Sequence, residues 1–143
     1  MAITQLSVYL ENKPGTLSDA ITQISDAGVN IRALSLADTA DFGILRLIVS
    51  DIEKTKKVLE GHVIALETPV IAVRMNDEAG ALKNILNILS SSGISIEYLY
   101  AFTASTVGSA CVVFRVNDAA AAELILKNHG EKTLSDEELK ELL

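Results

Sequence analysis

The sequence predicts an α+β protein made of two βαββαβ modules and a short C-terminal helix. Three observations carry that reading. First, the 143-residue chain repeats itself. Gly15, Leu17, Gly28, Ile31, Leu34 and Gly43 recur 65 positions later as Gly80, Leu82, Gly93, Ile96, Leu99 and Gly108. After a two-residue insertion, Asp51, Leu59 and His62 recur 67 positions later as Asp118, Leu126 and His129. A fixed period of this kind marks duplication of one folding unit. Second, each copy opens on apolar residues that alternate with polar ones, Leu6, Val8 and Leu10 in one and Ile71, Val73 and Met75 in the other. That is the period of a half-buried strand. Third, each copy then switches to helical spacing and ends that stretch on a glycine.

The elements follow in order. After a turn, Leu17, Ala20, Ile21, Ile24 and Ala27 share one helical face, as do Leu82, Ile85, Leu86 and Leu89. Gly28 and Gly93 stand where a helix end favours a left-handed residue. Second strands begin at Val29 and Ile94. Hairpin turns are expected from Asp38 to Gly43 and from Thr103 to Gly108, leading into strands Ile44 to Val49 and Ala110 to Phe114. Asp51 and Asp118 are N-caps for a second helix in each copy. The fourth strand is expected over His62 to Leu66 and, more briefly, over Lys132 to Leu134. Ser135-Asp136-Glu137-Glu138 then has capping-box spacing and opens the last helix.

The expected division is one module over 1–67, a second over 68–134 and a helical extension over 135–143. This order fits the ferredoxin-like split βαβ, an antiparallel sheet with both helices on one face. By alternation Ile44, Ile48, Val70, Ala72, Cys111 and Val113 point to the other face, so part of that face is expected to be covered. The connection Glu67 to Pro69 is too short for a flexible linker. The modules should therefore pack together through sheet edges, those of the second strands, Val29 to Ala37 and Ile94 to Phe102.

Composition narrows the function. Twelve Lys and Arg face 19 Asp and Glu, a net charge of −7. Nucleic-acid binding, which needs a basic patch, is disfavoured. Aromatic residues are 4% of the chain, with no Trp, too few for base-stacking platforms. The stretch Tyr98 to Phe114 lacks charge but is broken by Thr103, Ser105, Thr106, Gly108 and Ser109, so it reads as strand, turn and strand, not a membrane span. The N-terminus has no basic region before its apolar residues and does not resemble a secretory signal, so the expected location is cytoplasmic. Cys111 has no partner in sequence, and no Cys/His cluster calls for a metal. His62 and His129 read as helix-end residues meeting the dipole. No phosphate-loop, dinucleotide, nucleophile-elbow or zinc-protease motif occurs, so neither catalytic residues nor a cofactor are expected.

The candidate site is the loop Glu11-Asn12-Lys13-Pro14-Gly15-Thr16-Leu17, between the first strand and the first helix. The first N–H groups of a helix lack internal partners and attract anions, and a glycine lets a carboxylate come close to the backbone. A free amino acid carries such a carboxylate. Its ammonium needs neutral oxygen acceptors, which Asn12 and Asn30 supply if the loop and the start of the second strand adjoin. Pro14-Gly15 also reads as a simple turn, and Asn12 as a residue that braces its own loop.

At these residues the sequence resembles the ACT domain, a small regulatory module that binds amino acids and often sits beside metabolic enzymes. The resemblance rests on Asn12-Lys13-Pro14-Gly15-Thr16-Leu17 with Gly28-Val29-Asn30-Ile31. In the second copy it rests on Ala79-Gly80-Ala81-Leu82 with Gly93-Ile94-Ser95-Ile96. In the serine-sensing ACT domain of phosphoglycerate dehydrogenases two asparagines hold the effector, and by motif they correspond to Asn12 and Asn30. The resemblance thus implies a ligand site of Glu11, Asn12, Lys13, Pro14, Gly15, Thr16, Leu17, Asn30 and Ile31. A second possible site comprises Asp77, Ala79, Gly80, Ala81, Leu82, Ser95 and Ile96, with Asp77 and Ser95 in place of the asparagines.

The expected function is a stand-alone sensor that binds a small amino acid and conveys its occupancy to a metabolic enzyme or regulator, with a homodimer allowed. The alternative is a ligand-free interaction or dimerisation module. The first copy should bind more tightly, because Glu11-Asn12-Lys13 sums to zero charge and Asn76-Asp77-Glu78 to −2. A like charge at 4 Å costs about 1 kcal/mol in water, comparable to the roughly 0.3 to 1 kcal/mol that an exposed helix end gives an anion.

Overall fold

The computed structural model describes residues 3–38, 41–103 and 107–142. They form two compact units, the first Gln5–Thr68 and the second the chain from Pro69 onward together with Ile3 and Thr4.

The first unit contains β1 (Ile3–Glu11), α1 (Thr16–Asp26), β2 (Ile31–Asp38), β3 (Phe42–Val49), α2 (Ile52–Leu59) and the beginning of β4 (Ile64–Asn76). Its strand order is β2-β3-β1-β4. Leu6 faces Leu47 and Val8 faces Leu45, and Leu34 and Leu36 on β2 face the same two leucines from the other side. Alternation therefore gathers Leu6, Val8, Leu10, Leu45 and Leu47 on one face of the sheet. Ala20 and Ile24 of α1 and Leu59 of α2 close over them.

The second unit repeats the plan with the remainder of β4, α3 (Ala81–Ser91), β5 (Ile96–Thr103), β6 (Ser109–Val116), α4 (Ala119–Asn128), β7 (Lys132–Leu134) and α5 (Asp136–Leu142). The order is β5-β6-β4-β7. Ile71 faces Phe114 and Val73 faces Val112, under Ile85 and Leu89 of α3 and Ala122 and Leu126 of α4. Both units thus have the ferredoxin-like order expected from the sequence. The caps also form. Asp51 accepts from the Lys54 N–H at 3.0 Å and Asp118 from the Ala121 N–H at 3.0 Å. Ser135 and Glu138 exchange side-chain-to-backbone bonds of 3.2 and 3.3 Å, a complete capping box for α5.

Several details depart from expectation. The fourth strand of the first unit starts at Ile64, not His62, because the N–H groups of His62 and Val63 both bond the Leu59 carbonyl as the helix unwinds through left-handed Gly61. The two-residue insertion lies before β6, not after Gly108. Leu10 faces Gly43 and Met75 faces Ala110, so the structural counterpart of Gly43 is Ala110. Gly108 is a turn residue at φ +83°, whereas a Cβ on Gly43 would meet Leu36 Cδ1 at 3.2 Å. The shared glycine was a coincidence of type. Thr39, Ala40 and the stretch 104–106, which the expected hairpin turns include, lie outside the described residues. β2 takes its ladder partner from β3 and β5 from β6, each as an outer strand, and among the described residues no ladder joins the two second strands as expected.

The face of the sheet away from the helices is covered where alternation placed apolar residues. Val70, Ala72, Cys111 and Val113 are fully buried and Ile48 nearly so, while Ile44 is half-buried. In the first unit this face also buries Gln5 and Ser7. The Gln5 amide donates to Ser7 Oγ at 3.1 Å, and Ser7 Oγ lies 2.9 Å from Thr68 Oγ1, which answers the polar groups placed there.

Candidate functional site

Both loops expected to hold ligand have one backbone geometry. In the first, the Lys13 N–H bonds the Glu11 carbonyl at 2.9 Å, Thr16 N–H bonds Lys13 at 3.3 Å and Asp19 N–H bonds Gly15 at 2.9 Å. In the second, Glu78 bonds Asn76 at 2.9 Å, Ala81 bonds Glu78 at 3.3 Å and Asn84 bonds Gly80 at 3.0 Å. Each donor and acceptor is displaced by the same 65 positions. Gly15 and Gly80 sit immediately before their helices at φ 88° and 91°, left-handed conformations that a side chain disfavours. A Cβ at either glycine would meet no heavy atom within 4 Å, so the space above both helix starts is open.

These two helices differ from the others at their N-termini. α2, α4 and α5 are capped by Asp51, Asp118 and Ser135, but no side chain caps α1 or α3. The uncapped N–H groups and the positive end of the helix dipole are left to solvent or to an anion.

The side chains around them are not alike. In the first loop Lys13 Nζ lies 2.7 Å from Glu11 Oε2, both well exposed. The lysine holds the Glu11 carboxyl below the ordinary glutamate range, by hydrogen bond first and charge second, and Glu11 holds the Lys13 ammonium above its own. Thr16 Oγ1 donates to the Lys13 carbonyl at 3.1 Å, and Asn12, Pro14 and Leu17 are exposed. The second loop has Asn76 and Glu78 in place of Glu11 and Lys13, and its Asp77 N–H bonds the Gly108 carbonyl at 2.9 Å. Ala79, Gly80 and Ala81, with Glu78, Lys83, Asn84 and Asn87, line an open concavity of about 500 Å³, and half-exposed Leu82 is the second residue of α3.

Asn30 and Ile31 are not beside the first loop. Asn30 precedes β2, its N–H donating to Ser50 Oγ at 2.9 Å and its carbonyl accepting from the Ser50 N–H at 2.9 Å. Ile31 faces Val49 at one end of β3, whereas Glu11 faces Phe42 at the other. Seven residues of strand separate those ends, about 23 Å at the usual rise. The condition that loop and second strand adjoin is therefore not met within the unit. Ser95 and Ile96 stand in the same relation to the second loop, with Ser95 tied to Asn117 by bonds of 3.0 and 3.2 Å. Loop and asparagine read as one site in the sequence because motif order carries no direction along the sheet.

The histidines are helix-end residues, as expected, but not equivalent. His129 Nδ1 lies 2.9 Å from the Ile125 carbonyl directly after α4. His62 lines a cleft of about 200 Å³ against Thr16, Asp19 and Gln23 of α1. Burial pushes the Cys111 thiol up, and the nearby Arg74 charge opposes this. Among the described residues there is no cluster of metal-ligating side chains, and no helix is long and apolar enough to cross a membrane.

The family described as the ACT domain pair matches residues 1–143. The chain belongs to the ACT family. Protein BT0572 of Bacteroides thetaiotaomicron shares its fold at a TM-score of 0.90 and 36% identity, over 97% of this chain and 96% of that one. The ligand-free regulatory subunit of aspartate kinase from Thermus thermophilus aligns at a TM-score of 0.65 and 13% identity, over 87% and 91% of the two chains. The corresponding subunit from Thermus flavus aligns at 0.62 and 14%, over 90% and 92%. The last two show the fold alone. A search of curated proteins returns no match to this ACT pair.

Sequence reasoning missed one polar feature of the ACT pair. Arg74 and Ser109 stand where the first unit has Tyr9 and Phe42, and they line a cavity of about 400 Å³ with Asn76, Asn84 and Lys132. The available signal was an arginine in a strand whose first-copy counterpart is aromatic.

Proposed function

We propose that this ACT pair is a regulatory amino-acid-binding protein, not an enzyme, which takes a small amino acid at the loop Glu11–Leu17 and conveys its occupancy to a metabolic enzyme or regulator. The observation that carries this reading is the pair of helices opened by left-handed glycines and left without a side-chain cap, when the other three helices have one. A ligand carboxylate is the group such an end lacks. Structural relatives described as regulatory subunits of aspartate kinase support the regulatory role.

In this reading Asn30 serves the loop of a second copy of the chain. β2 is an outer strand, and its Leu34 and Leu36 are more than half exposed. Antiparallel pairing of two such edges brings the start of one β2, with Asn30, to the end of the other, where the loop lies. The same exposed edge favours the second reading, a dimerisation module without ligand. Thermal-shift screening of the twenty amino acids decides between them, since a ligand of the native state raises stability by mass action. A saturable rise with a small amino acid, accompanied by dimer in sedimentation, is the expected result. Dimer with no rise for any amino acid would establish the second reading instead.

A further inference from the structure

The second unit contains an arginine that nothing in its fold explains. Arg74 is half-buried on the face of β4 away from the helices, directly opposite Lys132 on β7. Like charges opposed across a ladder repel one another. Lys132 has Glu138 Oε2 at 3.7 Å. Among the described residues the Arg74 guanidinium bonds a hydroxyl, donating from Nε and Nη2 to Ser109 Oγ at 3.4 and 3.2 Å. A guanidinium has five N–H donors arranged as a fork for two oxygens, so most of this one is unused.

The cavity it lines, about 400 Å³, is of metabolite size. Asn76 and Asn84 add amide groups to its wall, while Glu78 and Glu131 line it as well and set a limit on how much negative charge can enter. In the first unit Tyr9 and Phe42 occupy the matching positions.

We infer that this cavity is an oxyanion site, with Arg74 as its fork and Lys132 and Ser109 beside it. It receives one carboxylate or phosphate group of a small molecule whose remainder is neutral or cationic. It adjoins the loop at Gly80, sharing Glu78, Ala81 and Asn84 with the concavity there, and it does not depend on the amino-acid reading of the first loop.

The test is a titration of the full chain, labelled with ¹⁵N, with inorganic phosphate and with acetate at ionic strength held constant by chloride. Saturable amide shifts centred on Asn76, Ser109 and Lys132, with Asn12 and Gly15 unmoved, are expected. Arg74→Gln should weaken binding at least tenfold and Arg74→Lys less. Should R74Q fail to fold, Lys132→Gln, at an exposed position, carries the same comparison. Tighter binding of phosphate assigns a phosphate ester, and tighter binding of acetate a carboxylate. Shifts that grow linearly with either anion, or an unchanged titration in the folded variants, would overturn the site. Gly15→Ala should leave this titration intact, so a failure here does not touch the loop.

Discussion

The two units have one backbone and two chemistries. Their loops repeat three backbone hydrogen bonds at the same offset, their sheets have the same strand order, and their apolar cores use matched positions such as Ile24 and Leu89. The polar groups diverge. The first loop closes on a Glu11–Lys13 ion pair where the second has Asn76 and Glu78, and the aromatic pair Tyr9 and Phe42 becomes Arg74 and Ser109. What duplication preserved is what folding requires: apolar period, left-handed glycines and aspartate caps. What it released is the polar chemistry of the loops and of the strands beside them.

The largest effect should come from the cores. Ile24→Ala and Leu89→Ala each remove a fully buried side chain and should cost about 2 to 5 kcal/mol, transfer and cavity terms together. Each core is closed within its own unit. Hydrogen exchange on the Leu89 variant should therefore show the loss at Val112 and Phe114 and spare Leu45 and Leu47. Equal loss at both sets would break the comparison, since the units would then open as one.

Next come the glycines. Gly15→Ala and Gly80→Ala meet no steric neighbour but keep a left-handed backbone, so each should lose about 1 to 2 kcal/mol of stability from strain alone. Denaturant melts should give nearly the same value for both. Calorimetry should separate them: amino-acid binding is expected to vanish with the Gly15 change and survive the Gly80 change. The reverse outcome would overturn the assignment to the first loop.

Asn30→Ala should weaken binding by about 1 to 3 kcal/mol if a buried charged amine loses its acceptor. Its effect on stability should be small, because the bonds to Ser50 are made by the Asn30 backbone. A heterodimer of this variant with a Gly15 variant sharpens the point. A site shared between copies should retain one working pocket in two, since it pairs the intact loop of one chain with the intact asparagine of the other, whereas a site within one chain should retain none. Mixed dimers in which both changes lie in one chain should then bind nothing if sharing is right.

Most of the fold was legible because it rests on local rules. Period-two alternation located β1 and β4, and capping spacing located α2, α4 and α5. The strand start at His62 failed because Val63 and Ala65 alternate well while left-handed Gly61 keeps the preceding residues in a helix-end turn. The Gly43 and Gly108 match failed because residue identity cannot say whether a glycine turns or merely makes room. The loop was legible as a glycine turn opening a helix, and the structure leaves that helix without a side-chain cap. Its distance from Asn30 was not, since that depends on strand direction and register. Arg74 was hidden because an isolated arginine in a strand reads as a solvated edge residue until the opposing Lys132 is placed.

The smallest expected effect concerns the ion pair that distinguishes the first loop. Glu11 is held low by Lys13, so its contribution to stability is present above the unfolded glutamate pKa and is lost as pH falls through the lower folded value. Lys13 is held high by the same contact, so its contribution is present below the unfolded lysine pKa and lost as pH rises through the higher folded one. Both groups are fully exposed, which keeps the energetic consequence slight. The titration itself is the sensitive measure. The Glu11 carboxyl should titrate below the ordinary glutamate range by NMR, and Lys13→Met should return it there, with added salt moving wild type part of the way. On the proposed function an amino acid bound at Gly15 would place its carboxylate near Glu11 and compete for Lys13, so saturating ligand should raise the Glu11 midpoint toward the value in the Lys13 variant. A midpoint unchanged by ligand would mean that the anion at this helix end never reaches the lysine.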